Sequence, residues 1–299
     1  MRNKKKADFH ESSKNHNIII TSNKKNNPSA KINDNSSFIS SGQINYIKEY
    51  KNQRFIIFIS RFILLFSFLG IWEISSSFGL IDSFFFSSPG KVIALFLKMC
   101  ENNEIWRHIS ITLAETIISF LSVTIISVLS AIFLICFPKI SDILEPFLII
   151  LNSLPKSALA PLIIVWLGTG MRTIIITGIS VAIFGSIVNM YTCFSQVEEE
   201  KIKLIYTLGG TRRDSLFKVI IPSSIPIIIS NMKVNIGLSL VGVIIGEFLA
   251  AKEGLGYLII YGSQIFRLDL LIMSIVILCI IAYALYHSIQ LIERKFPRT

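Results

Sequence analysis

The side chains best suited to act on a polar solute here are the ones set among apolar residues. Lys156 stands between Pro155 and Pro161 in LNSLPKSALAPLIIVWLGTG, and Asn231, Lys233 and Asn235 recur at i, i+2, i+4, which puts the two amides on one helix face. Glu247 interrupts another apolar run. Such groups are expensive in hydrocarbon unless they pair, bond a neighbouring helix or face water. For Lys156 the readings are a charge on a solute path, a paired lysine, or one that snorkels to an interface. For the asparagines they are bonds between helices or the wall of such a path. Nothing points to covalent chemistry. The four histidines (His10, His16, His108, His287) and four cysteines (Cys100, Cys136, Cys193, Cys279) fall in no ligand or CxxC spacing. HExxH and the phosphate-cradling GxxxxGK[ST] are absent, and Gly254-x-Gly256 follows an apolar run and lacks the third glycine of a dinucleotide loop. No catalytic residue, metal or cofactor of its own is expected, and any ATP must be bound by another chain.

The elements that must hold these residues are membrane helices. The chain is 52% hydrophobic and only 16% charged, with a mean hydropathy of +0.63, well above an ordinary soluble domain. An all-α, polytopic fold is predicted, with six spans at about 55–75, 109–137, 141–167, 173–194, 223–249 and 268–291, each near the length a bilayer needs. Pro155 and Pro161 interrupt the third, so that helix must face protein or water. Glu115 reads as interfacial. The net charge of +10 lies in tails and short loops rather than along one face, which fits the positive-inside bias and excludes nucleic acid as a partner. Both termini are then cytoplasmic, in a multi-pass protein of the cell membrane. Residues 1–54, rich in Lys, Asn and Ser, read as a disordered basic tail, solvated or touching anionic lipid, and 55–299 as the membrane domain. Ser88 and Pro89 mark the start of a short interfacial helix.

Between the fourth and fifth spans lies VEEEKIKLIYTLGGTRRDSLFKVIIP, too polar for lipid. Acids at 198–200 open a helix, and Glu199 with Lys203 makes an i, i+4 pair. Gly209 and Gly210 stop that helix, Thr211 with Asp214 restarts one as a capping box, and Pro222 closes the unit. The reading is a helix-turn-helix elbow on the cytoplasmic side.

This elbow resembles the coupling loop of permease subunits of bacterial ATP-binding cassette importers, whose pattern is Glu-Ala-Ala, three residues, Gly, nine residues, Ile-x-Leu-Pro. Gly209 takes the glycine and Val219, Ile220, Ile221 and Pro222 the closing motif, while Lys203, Leu204 and Ile205 stand in place of Glu-Ala-Ala. Trp72, Glu73, Gly79, Leu80 and Ser88-Pro89, the run Pro155 to Pro161 followed by Trp166 and Gly168, and Glu247 followed by Gly254-Leu255-Gly256-Tyr257-Leu258 resemble the nitrate, sulfonate, taurine and bicarbonate group. The resemblance covers about residues 62 to 294. It implies a MetI-like permease fold, a second permease copy (a homodimer), two cytoplasmic ATPase subunits and an extracytoplasmic substrate-binding protein. The implied coupling residues are Lys203, Leu204, Ile205, Gly209, Gly210, Thr211, Asp214, Val219, Ile221 and Pro222. The translocation path is expected at Pro155, Lys156, Pro161, Asn231, Asn235 and Glu247, and the substrate to be a small anion such as sulfonate, taurine or nitrate. The alternatives are a secondary transporter or channel, and a permease for riboflavin or a thiamine precursor.

Overall fold

The structure, a computed structural model, describes residues 41–80, 82 and 86–294, and for residues 41–52, 54 and 65 the backbone alone. The predicted tail therefore lies outside the described residues as far as residue 40, but from Ser41 onward the chain is helical, and the first helix begins well before Phe55. The elements are α1 (Ser41–Ser77), α2 (Pro89–Glu101), α3 (Glu104–Cys136), α4 (Pro138–Ser153), α5 (Lys156–Leu167), α6 (Met171–Ser195), α7 (Glu199–Thr207), α8 (Arg212–Ser215), a π-helical turn (Leu216–Ile220), α9 (Ile221–Ala250), α10 (Leu255–Gln264) and α11 (Leu268–Glu293).

The chain divides into two units, residues 1–65 and 66–299. In the first, Phe55, Ile57, Ile63 and Leu64 are exposed along α1, as a helix surrounded by lipid requires. The remaining elements belong to the second. Among the described residues, five segments are long and apolar enough to cross a membrane, and the pair α4–α5, bent by 95°, is so when taken together. A helix merely interrupted by proline was expected over 141–167; the break is instead a near right angle. The cause is local. Pro155 forbids the α region to the residue before it, and Leu154 is extended at φ −64°, ψ 142°. Pro161, by contrast, stays inside α5.

Pro222 differs from expectation as well. It does not end the elbow, because the helix runs through it from Arg212 to Ala250. Proline lacks an N–H and crowds the preceding turn, and that turn is widened to the π form over Leu216–Ile220. The Ser223 hydroxyl donates to the carbonyls of Val219 (2.7 Å) and Ile220 (3.1 Å) there.

The centre of the second unit is α3, α6 and α9, each packed on the other two. Glycine makes this possible: a Cβ at Gly178 would stand 2.7 Å from Ser119 Oγ, and one at Gly242 would stand 2.8 Å from Gly178 Cα. Gly242 and Gly246 form a GxxxG step on α9, a spacing that lets two backbones approach where lipid offers no hydrophobic drive to association. Around this centre, α2, α10 and α11 bury Met99, Leu258, Met273 and Ile277 in one cluster.

Candidate functional site

Two regions carry the expected residues. The first is the elbow. Helix α7 ends in a Schellman turn, with Gly209 N–H donating to Tyr206 O (3.0 Å) and Gly210 N–H to Ile205 O (2.9 Å). Gly209 has φ +80°, the left-handed region where a side chain is strained. Gly210 is required for space, since a Cβ there would stand 2.5 Å from Ile205 Cγ2. Thr211 then caps α8, and the capping box with Asp214 is complete in both directions.

The elbow is seated on the bundle from below. Arg212 Nη2 donates to Ile135 O at the end of α3 (2.8 Å), and Leu216 and Ile220 are buried with Ala131, Met190 and Phe194, while Ile202 packs on the same cluster. It keeps Leu204, Tyr206, Leu208 and Phe217 exposed, Leu208 by 75%. Such a concentration of apolar side chains on a polar elbow marks an interaction surface. The charges beside them are settled locally, Lys203 with Glu199 (2.8 Å), Lys201 with Glu198 (3.2 Å) and Lys218 with Asp214 (2.7 Å). The Lys203 ammonium holds the Glu199 carboxyl below its ordinary pKa. Lys203 thus answers an acid on its own helix.

The second region is a polar seam through α3, α6 and α9. Asn231 Nδ2 and Asn235 Nδ2 both donate to Ser186 Oγ on α6, at 3.1 and 2.8 Å, and Asn189 Nδ2 approaches Asn231 Oδ1 at 3.4 Å. Thr116, Ser119, Thr177 and Ser239 continue it, all fully buried. At the elbow end the seam meets a recess of about 300 Å³ lined by Asn189, Thr192, Gln196, Ser230 and Asn231. At the far end a recess of about 450 Å³ is bordered by Glu115, Thr169, Ala250 and Lys252. At the elbow end the polar chemistry offered is neutral hydrogen bonding. Lys233, on the same helix, is engaged by Glu293 at 2.7 Å.

The expected path residues are not brought to one place. Asn231 and Asn235 meet in the seam; Glu247 is buried at its far end against Thr112 and the α10 hairpin. Lys156 lies at the α4–α5 bend, half-exposed, donating to Asn152 Oδ1 at 3.1 Å, with Pro155 and Pro161 exposed beside it. Glu115, read as interfacial, is in fact 1% exposed. It lies on the α3 face that carries His108, Thr112 and Ser119, and this i, i+4, i+7, i+11 polar spacing within an apolar helix was the signal for it. The GxxxG step was legible too.

A family model described as the binding-protein-dependent transport system inner membrane component matches residues 124–296, from within α3 through the seam and elbow to the end of α11. The chain belongs to this family. A probable ABC transporter permease protein of Haemophilus influenzae is 28% identical over 228 residues, covering 76% of this chain and 92% of that protein. The taurine transport system permease of Escherichia coli is 23% identical, covering 76% and 84%. The formylaminopyrimidine transport permease of Halalkalibacterium halodurans is 25% identical, covering 62% and 74%. Among solved structures, the inward-facing MetNI methionine ABC transporter aligns with a TM-score of 0.59 at 20% identity, over 65% of this chain and 96% of that one, so the two share a fold. This chain is therefore a multi-pass ABC importer permease subunit, not an enzyme, and its family works with ATPase subunits and a binding protein.

Proposed function

We propose that this permease forms a homodimer, binds two ATPase subunits at its two cytoplasmic elbows, and passes a small solute delivered by an extracytoplasmic binding protein. Both termini then lie inside. The elbow's exposed apolar side chains are what carries the reading: Leu204, Tyr206, Leu208 and Phe217 are exposed on a unit packed on α3 and continuous with α9. Apolar anchors on a rigid support suit a groove on a soluble partner, and the continuous helix through Pro222 would hand the partner's motion to α9. In this reading Lys203, Leu204, Ile205, Gly209, Gly210, Thr211, Asp214, Val219, Ile221 and Pro222 form the coupling unit. Asn231, Asn235 and Glu247 border the path, with Pro155, Lys156 and Pro161 at the bend facing the partner copy across it.

The substrate is a small anion such as sulfonate, taurine or nitrate, a reading supported by relatives named for taurine and aliphatic sulfonates. A second reading, a neutral heterocycle, is favoured by the amide and hydroxyl lining of the seam and by relatives named for formylaminopyrimidine and riboflavin. The test is the complex reconstituted with its cognate ATPase and binding protein, assayed with the ligand that binding protein retains. Gly209→Val, which introduces strain of about 1–2 kcal/mol at a left-handed residue, is expected to leave the bundle folded and either release the ATPase or hydrolyse ATP without transport. Equal transport per ATP hydrolysed, with the ATPase still bound, removes the coupling role.

A further inference from the structure

The recess of about 450 Å³ at the end of the seam away from the elbow has a buried acid and an exposed lysine in its lining. The acid is Glu115 of α3, which is 1% exposed and whose Oε2 has no hydrogen-bond partner. Leaving a buried acceptor without a donor is costly, and folded proteins leave few of them. The lysine is Lys252, in the turn after α9, and among the described residues it has no ion pair. Glu253, the other acid of the lining, is taken by Arg107. Ile111, Met171 and Ile174 add apolar wall.

The backbone that carries Lys252 is tied to the helix that carries Glu115. In the hairpin between α9 and α10, Gly254 N–H donates to His108 Nδ1 (3.0 Å) and Leu255 N–H to Thr112 Oγ1 (2.9 Å), both on α3. The Thr112 hydroxyl donates in turn to Glu247 Oε1 (2.6 Å), and the same carboxyl takes the Gly256 N–H. The Arg107–Glu253 ion pair joins α3 to the residue after Lys252. Walls cross-bonded in this way lose less binding energy to ordering when a ligand arrives.

The two groups ask different things of a solute. Glu115 Oε2 calls for an N–H donor, and the Lys252 ammonium for an anionic oxygen. A plain anion such as nitrate or an alkanesulfonate meets the lysine but brings only acceptors to Glu115; a simple amine does the reverse. We propose that this recess is a solute site for small amphoteric molecules, an amine joined by a short chain to a sulfonate or carboxylate, with the amine N–H on Glu115 Oε2 and the acid group on Lys252. The site rests on the reading of this chain as a small-anion permease and narrows it: taurine, an aminosulfonate, fits, and nitrate does not.

Calorimetric titration of the full-length permease in lipid nanodiscs, without ATPase or binding protein, tests it. The probes are taurine and β-alanine, which carry both groups, and ethanesulfonate and propionate, which lack the amine. The amine-bearing probes are expected to bind at least about tenfold more tightly than their amine-free counterparts. Glu115→Leu is expected to abolish that preference, and Lys252→Met to weaken taurine and β-alanine at least about tenfold. The site is overturned if amine-bearing and amine-free probes bind alike, or if neither taurine nor β-alanine binds at up to about 10 mM. A folded Glu115→Leu protein that keeps the preference overturns it too. So does a Lys252→Met protein with wild-type binding, a result that holds even where Glu115→Leu fails to fold. Transport by the complete importer separates the site from the wider reading. Ethanesulfonate moved with taurine excluded leaves a small-anion permease and removes the amphoteric site, whereas taurine bound by the permease and no small anion moved by the importer keeps the site and removes the small-anion reading.

Discussion

The elbow and the α9–α10 hairpin face the same backbone problem at opposite ends of α9. Each must stop one helix and start another within a few residues, leaving terminal N–H and C=O groups to be satisfied. The elbow does so with its own neighbours. Every cap and charge pair in it, from Gly209–Tyr206 to Lys218–Asp214, spans five residues or fewer, and what ties it to α3 is the Arg212 hydrogen bond and the apolar packing of Leu216 and Ile220. The hairpin uses distant residues: His108 and Thr112 are on α3, 143 or more positions away. An elbow built locally can keep its shape while its exposed apolar side chains are engaged by a partner. A hairpin built from long-range bonds holds only while α3 and α9 stay in place, so it reports on the packing of the whole bundle.

The sharpest way to break this contrast is at Glu247. Replacement by Ala strands the Thr112 hydroxyl and the Gly256 N–H in a dry site, and a loss of roughly 3 kcal/mol is expected, at about 1–3 kcal/mol per unsatisfied group. Thermal melting of the purified permease measures it; an unchanged melting temperature would mean that water reaches the hairpin. Next is Gly242→Ala at the α6–α9 crossing. Its Cβ would meet Gly178 Cα at 2.8 Å, and backbone cannot yield as a side chain does, so overpacking of about 1–3 kcal/mol is expected from the same melt.

At the elbow the effects should be smaller and confined. Thr211→Ala removes the cap of α8 and is expected to cost about 1 kcal/mol, read as faster hydrogen exchange of elbow amides with no change in those of α3 or α6. Spread of that exchange into α9 would show that the elbow is not a local unit. The smallest effect belongs to Glu199. Its carboxyl lies below its ordinary value because of Lys203, so any contribution is present above the ordinary carboxylate range and is lost as pH falls through the depressed value. Glu199 is fully exposed, and Glu199→Gln is expected to leave the melting temperature at pH 7 unchanged.

The lesson for reading such a chain lies in how far each signal travels. The apolar runs, the basic loops and the spacing from Glu199 through Gly209, Thr211 and Asp214 are short-range physics, in which hydropathy sets the spans and glycine, threonine and aspartate set the elbow. The sequence therefore determined by itself that this is a helical membrane protein with one structured polar elbow, and its motifs already resembled the family that residues 124–296 match. Tertiary structure decided the rest. The polar seam needed Ser186 of α6 beside Asn231 and Asn235 of α9, and Pro222 could remain helical only because a π turn widened ahead of it. Glu115 read as an interfacial acid because its own neighbours in sequence are neutral or apolar; its burial comes from the helices packed against α3. Local propensity is written into a few residues, but a buried bond between two helices exists only once both have packed.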